Sequence, residues 1–327
     1  MSNPYQSLVP LMQLKSSLTD VKHFHNKVNT IFHDYEARLY DDIHGEMWAS
    51  LPQQYQLTIN DIQEFFKGPN SLKLLDIGCG TGLATQMLLD TVANDKISEI
   101  HLIDTSAQML KKATERSKSW NKTVKIIHGE IADLKEIYDV IIISSVLHHI
   151  PDLNGFFEQV NHIQVKGGLI FTIHDPSADA LNSTAYNQRC HELQQHRMQT
   201  NNTRKKLSIL RRGINKIKRT LNPQDYMEKA NRELLKANII NQPLTAPEIW
   251  SITDIHVEGL PYSASSGITK KFLEKALQNY KLISYRTYAF FGTLKSNLDP
   301  IYQQKEQELI ENKDMNGRNF SSVWIKE

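Results

Sequence analysis

Three glycines at alternate positions, Gly78, Gly80 and Gly82, follow directly on the apolar run Leu72–Ile77, with Asp76 inside the run and the helix-forming stretch Leu83–Leu89 after it. A strand that passes through glycines into a helix gathers free backbone N–H groups and the positive end of a helix dipole at one place. Glycine allows the sharp backbone angles and lets a ligand approach the main chain closely. Leu83 stands where the third glycine of the dinucleotide fingerprint G-x-G-x-x-G would fall, which argues against a dehydrogenase. Asp104 ends the next apolar run, roughly 20 residues on, where an α/β nucleotide site sets an acid against ribose hydroxyls. His148 and His149 follow a fourth apolar run, and His174 with Asp175 closes a fifth. Histidine is the side chain suited to proton transfer near neutrality.

The elements that must hold these residues alternate regularly. Strands at 72–77, 97–103, 124–128, 138–143 and 169–174 are separated by helical stretches, among them 153–164, with a turn at Lys166-Gly167-Gly168. That alternation predicts an α/β fold with a mostly parallel sheet covered on both faces, and open sheets of this kind place ligands at the carboxyl ends of their strands. Ahead of it, Val28, Ile31, Phe32, Tyr35 and Leu39 recur at helical spacing. After Asp175 the pattern stops for about ninety residues, then resumes with a helix at 268–277 and apolar runs at 282–288 and 289–294. Residues 299–312 read as a polar helical tail, and the remainder carries no signal.

The stretch Leu72-Lys-Leu-Leu-Asp-Ile-Gly-Cys-Gly-Thr-Gly82 resembles the first motif of the class I S-adenosylmethionine-dependent methyltransferases, close to V-L-D-x-G-C-G-T-G. Asp104-Thr-Ser-Ala-Gln-Met-Leu110 resembles the same family's D-x-S-x-x-M-L segment, and the run from Tyr138 through Leu147-His-His-Ile-Pro-Asp152 its F-D…L-H-H-x-P-D segment. The resemblance implies a Rossmann-like, seven-stranded, mostly parallel sheet with an antiparallel last strand, plus a helical N-terminal cap and a helical insertion. It divides the chain into a cap (1–70), a cofactor-binding core (71–175 and 267–296), an insertion that shapes the acceptor pocket (176–266) and a tail (297–327). It also implies S-adenosylmethionine as cofactor, with Asp76, Gly78 and Gly80 in its turn, Asp104 on the ribose diol, and Thr105 and Met109 beside adenine. Glu130 and Ile131 stand where the family has an acid for the adenine amino group, with Asp133 as the competing acid. The backbone at Ser144 would face the methionine end. Ala37-Arg-Leu-Tyr40-Asp is similar to the helix that closes over the cofactor in small-molecule methyltransferases, which would bring Tyr40 to the sulfonium; packing of that helix is the alternative. His149 would then be the base for the acceptor, with His148 and His174 as substitutes. Ser145 and His148 replace the carboxylates with which related quinone O-methyltransferases hold a divalent ion, so no metal is expected. His23 and His25, and His191 and His196, lack a third ligand and are expected at the surface.

Composition narrows the rest. The 327 residues are 40% hydrophobic and 23% charged, an ordinary globular balance. Two cysteines make no disulfide framework, and no run is long enough to span a membrane, so the cytoplasm is the expected compartment. The net charge of +2 is unevenly spread: thirteen Lys/Arg and four Asp/Glu fall between Arg189 and Lys236. Within it Leu207, Leu210, Ile214, Ile217 and Leu221 form one apolar stripe, with basic residues on the remaining surface of 203–221. Such a helix either packs as a cap or meets an anionic membrane, an acidic carrier protein or an anionic substrate. Nucleic acid ranks behind these because no RNA- or DNA-binding module accompanies the stripe. The expected function is methyl transfer to oxygen or nitrogen of a small, lipid-like or anionic metabolite. An RNA methyltransferase using the basic insertion, and a cofactor-binding regulatory protein without activity, are the alternatives.

Overall fold

The computed structural model describes residues 3–68, 71–204 and 225–327. Seven strands, β1 (Leu72–Ile77), β2 (Ile97–Asp104), β3 (Thr123–His128), β4 (Tyr138–Ser144), β5 (Gln164–Pro176), β6 (Tyr280–Tyr288) and β7 (Asn319–Lys326), form one sheet in the order β3-β2-β1-β4-β5-β7-β6. The first five run parallel, and β7 is antiparallel to both β5 and β6. In β4 the consecutive residues Ile141, Ile142 and Ile143 are all fully buried, as a strand covered on both faces requires. β1 lies between β2 and β4, so the chain leaves its carboxyl end in opposite directions on either side. That reversal opens a crevice at the strand ends.

Because side chains alternate along a strand, neighbouring residues feed two separate cores. Leu74, Ile100 and Ile142 pack on one face with Leu51, Tyr55 and Ile59 of α4 (Gly45–Asp61) and with Met87 and Leu88 of α5 (Leu83–Leu89). Leu75, Ile103 and Ile141 pack on the other with Phe156, Phe157 and Val160 of α7 (Leu153–His162) and Leu273 of the helix Lys270–Ala276. A third core lies outside the sheet. Leu11 of α1 (Val9–Lys15) and Phe24, Val28 and Phe32 of α2 (Val21–Glu36) pack with Leu234, Ile240, Ile249 and Ile252 from the later helices Asp225–Lys236 and Ala246–Thr253. The buried Ser16 hydroxyl, donating to the Ile239 carbonyl at 2.6 Å, seals the junction. The N-terminal cap and part of the insertion therefore share one core, where the sequence suggested two separate units.

The last strand departs from the sequence expectation. Residues 289–294 are not a strand: Ala289 takes φ +61°, and the N–H groups of Ala289 and Phe290 donate to the carboxylate of Glu306 at 2.7 and 3.0 Å instead of to a neighbouring strand. Glu306 is carried by the helix Pro300–Glu311, so the segment expected as a tail supplies both this cap and β7. Ser321 and Ser322 hid β7 from a hydrophobic pattern. Both are buried, and the Ser322 hydroxyl pairs with Thr172 at 2.6 Å and accepts from Trp324 Nε1 at 2.7 Å. Lys166-Gly167-Gly168 is likewise no turn but lies within β5, where the pairing with β4 shifts register. Most of the basic stripe at 203–221 lies outside the described residues. Among the described residues no helix is long and apolar enough to cross a membrane.

Trp324 is 2% exposed and packs in the α7 core. Trp324→Ala should cost about 3–5 kcal/mol of unfolding free energy in a urea titration; a loss below about 1 kcal/mol would mean β7 is not part of the cooperative unit.

Candidate functional site

A cavity of about 410 Å³ opens at the strand ends, within the range of roughly 300–1,000 Å³ typical of small-molecule sites. Its floor is the turn after β1. Gly78 and Gly80 take φ +63° and +51°. A Cβ on Gly78 would lie 2.6 Å from Val146 Cγ2, so that residue is required for space as well as angle, whereas a Cβ on Gly80 would meet nothing within 4 Å. Gly80 thus leaves its main chain bare toward the cavity. Its N–H donates to Asp104 Oδ2 at 2.9 Å, and the Ser106 N–H donates to Oδ1 at 2.8 Å, fixing the Asp104 carboxylate at the end of β2. Burial raises the pKa of Asp104 against the pull of these two donors.

Thr105, Met109, Glu130, Ile131, Ser144, Tyr40 and His149 all line the same cavity. Glu130 Oε1 accepts from Asn26 Nδ2 at 3.0 Å, while Asp133 turns back to accept the Glu130 N–H at 3.2 Å and does not line the cavity. Asp76 is not at the wall. It is buried beneath the turn, accepts from Thr85 Oγ1 at 2.6 Å, and burial pushes its carboxyl up to about 7. Among the described residues its Oδ1 has no hydrogen-bond partner.

The three histidines separate. His149 lines the cavity, and its Nδ1 lies 2.5 Å from the Thr253 carbonyl, which can only accept. The proton therefore sits on Nδ1, and Nε2 keeps a lone pair. Burial, with the positive potential of His148 and His33, holds its pKa well below the ordinary histidine value. His148 lies behind the wall, with Nδ1 2.7 Å from Asp175 Oδ1 and Nε2 3.5 Å from Asp254 Oδ1. Burial opposes its charge, but Asp175 outweighs that and its pKa is raised. His174, at φ +68°, sits 3.0 Å from both the Tyr288 hydroxyl and Asn319 Nδ2 outside the cavity, and burial lowers it to about 3. His149 Nδ1 also lies 3.5 Å from Asp254 Oδ1, so His148, His149 and Asp254 form one of two groups with ligand-like spacing among the described residues. The other is Glu99, His101 and Glu136, to whose two carboxylates Lys73 is paired.

The roof of the cavity is α2, in the segment whose Ala37-Arg-Leu-Tyr40-Asp end suggests a helix closing over the cofactor, and its polar face as well as Tyr40 meets the cavity. His25, Asn26, Asn29, Thr30 and His33 reach the cavity from that face. The signal was present, since these polar residues recur at the same three–four spacing. His25, expected at the surface, is 4% exposed. His33 Nδ1 pairs with Glu36 Oε2 at 3.0 Å, and His44 Nε2 lies 3.6 Å from Glu36 Oε1. Asp34 latches the roof to the sheet by accepting from Ser106 Oγ at 2.6 Å and from the Gln108 N–H at 3.1 Å. Asp41, on the short helix α3 (Tyr40–Ile43) that follows α2, adds a second latch, accepting from Thr81 Oγ1 at 2.8 Å and Arg116 Nη2 at 2.6 Å.

A sheet of this order, with a glycine turn after its first strand and an acid closing its second, defines the class I methyltransferase architecture. Residues 75–170 match the profile of the family described as "Methyltransferase domain", and this part of the chain is a class I S-adenosylmethionine-dependent methyltransferase domain. Malonyl-[acyl-carrier protein] O-methyltransferase of Acetivibrio thermocellus is 27% identical over 128 residues, 39% of this chain and 44% of that protein. Ubiquinone biosynthesis O-methyltransferase of Rickettsia canadensis is 28% identical over 127 residues, 38% of this chain and 52% of that protein. The chain thus spans about half the length of these relatives. Among solved structures, magnesium protoporphyrin IX methyltransferase of Synechocystis PCC 6803, with bound SAH, aligns over 94% of this chain and 100% of its own, at 11% identity and a TM-score of 0.48.

The His33–Glu36 pair generates a test that needs no ligand. Burial alone would raise Glu36, but His33 and His44 bring it down to about 2, so its contribution to stability is present above the ordinary carboxylate range and lost as pH falls. His33 is raised by Glu36 against burial, so its share is present below the ordinary histidine value and lost as pH climbs through the raised one. Glu36→Gln should flatten the acid limb, removing on the order of 2 kcal/mol of the stability difference between about pH 5 and about pH 3. Urea unfolding at the two pH values reads it directly, and parallel curves for both proteins would count against the pairing.

Proposed function

We propose that the protein transfers the methyl group of S-adenosylmethionine to an oxygen or nitrogen of a small metabolite. The observation that carries this reading is the convergence of the bare Gly80 main chain, the fixed Asp104 carboxylate and a neutral His149 on one cavity. The residues present fit the cofactor: Gly80 leaves room for its amino-acid portion, and Asp104 retains acceptor capacity for the ribose hydroxyls after its two backbone bonds. Thr105, Met109, Glu130 and Ile131 would border adenine, the backbone at Ser144 the methionine end, and Tyr40 the sulfonium. Asp76 would act from below, holding the turn through Thr85. When bound, the cofactor supplies an electrophilic methyl group on a good leaving group.

The protein's own task is then mainly alignment of acceptor, methyl and sulfur on one line. α2 closes the cavity from above and excludes water, its position set by the Asp34 and Asp41 latches. His149 offers Nε2 to the acceptor. His148, bridged between Asp175 and Asp254, would position the loop that carries His149, and His174 would brace the end of β5. The core organisation, with the helical cap and insertion forming the acceptor side, belongs to the same proposal.

An acceptor carried on an acidic carrier protein is the favoured form. The excess of Lys and Arg between Arg189 and Lys236 supports it, as does the activity that names the malonyl-[acyl-carrier protein] O-methyltransferase relative. RNA is the competing acceptor, and cofactor binding without transfer is the reading from outside the enzymes.

Calorimetry with S-adenosylmethionine and its demethylated product tests the cofactor. Asp104→Ala should weaken binding at least about tenfold, whereas His149→Ala should leave binding near wild type and lower turnover about 100-fold. Incubation with methyl-labelled cofactor and fractionated extract identifies the acceptor. Label in RNA alone would overturn the small-molecule reading, and no binding of either nucleoside would overturn the whole.

A further inference from the structure

We propose that the proton released by the acceptor is taken by His33, with Glu36 as its partner carboxylate, and that His149 orients the acceptor as a neutral imidazole. The inference rests on the methyl-transfer reading and deepens it by naming the base.

Three observations converge. His33 lines the cavity from the roof, and its ring meets that of His149 edge-on at 5.3 Å between centroids, so both imidazoles serve the same volume. His33 Nδ1 is engaged by Glu36 Oε2 at 3.0 Å. A carboxylate can only accept there, so the proton is on Nδ1 and Nε2 is the basic atom. Glu36 is 6% exposed, a carboxylate sunk in the roof at a desolvation cost that an apolar residue would avoid. His33 and His44 hold it from two sides, keeping it ionised and ready to stabilise an imidazolium.

His149 lacks this support. Its Nδ1 partner is an uncharged carbonyl, and a proton gained by His33 or His148 disfavours a second cation in the same wall. The charged and titratable groups facing His33 are Glu36 and His44 from the roof, Asp104 from the end of β2, His149 with His148 behind it from the loop after β4, and Asp254 from the insertion. The carboxylates among them favour the protonated ring.

The transfer balances. The acceptor's O–H or N–H bond breaks, and its proton goes to His33 Nε2. The electron pair left on the acceptor forms the bond to the methyl carbon. The pair of the broken carbon–sulfur bond stays on sulfur, and the imidazolium later returns its proton to water.

The test has two arms. In the first, long-range ¹H–¹⁵N spectra of the histidine rings are followed against pH in the intact protein. His33 should titrate above the ordinary histidine value with its proton on Nδ1, and Glu36→Gln should move that titration down. A His33 titration unaffected by Glu36→Gln overturns the pairing. In the second, His33→Gln and wild type are compared for cofactor binding by calorimetry and for label transfer into the extract fraction that wild type methylates. Binding within about threefold, with transfer down about 100-fold and partly restored by added imidazole, is the expected result. Transfer within about threefold of wild type, or an equal loss of binding and transfer, removes His33 from the proton step. If wild type itself binds no cofactor, the methyl-transfer reading fails, an outcome distinct from a His33 variant that binds and transfers normally.

Discussion

One carboxylate holds the ligand end of this sheet in register. Asp104 accepts the N–H of Gly80 from the turn after β1 and the N–H of Ser106 from the start of α6 (Ala107–Ser117), so the ends of β1 and β2 and the helix that follows are tied through a single group. The glycine turn is shaped from the other side by Val146, whose methyl groups occupy the space a side chain at Gly78 would need. A backbone folded this tightly presents its main chain to the cavity, and everything built above it takes its position from there.

The roof depends on the same corner. Ser106 donates its backbone N–H to Asp104 and its hydroxyl to Asp34 of α2, so the side chain that caps α6 also fastens the helix overhead. Asn26 and Glu130 fasten the roof's other end. These contacts are polar and partly exposed, while the apolar side of α2 is buried against the helices Asp225–Lys236 and Ala246–Thr253. The roof is thus cohesive with its own core and held to the sheet by replaceable hydrogen bonds, the combination suited to a cover that must admit a ligand.

Much of the sheet was legible because its strands are aliphatic and separated by glycine turns. β1 to β4 fall within a residue or so of their sequence positions, and Asp104 and Gly80 were visible as a motif. The last strand was not legible, since Ser321 and Ser322 break the apolar pattern while pairing internally with Thr58 and Thr172. The roof's contribution was missed for a different reason. Val28 and Phe32 announced a helix and its buried face, but the polar residues on the opposite side look like a solvated surface until another element covers them. His148, His149 and His174 are equivalent as letters; the buried Asp175 carboxylate that holds His148 and the Thr253 carbonyl that holds His149, at the end of the helix Ala246–Thr253, tell them apart.

The shared core of cap and insertion has a mechanical consequence. Residues 205–224, rich in lysine and arginine, join the end of the helix Thr184–Arg204 to the start of the helix Asp225–Lys236, and that second helix lies directly on α2. That helix backs the face of α2 turned away from the cavity, so any shift of it bears on the roof before it reaches a strand.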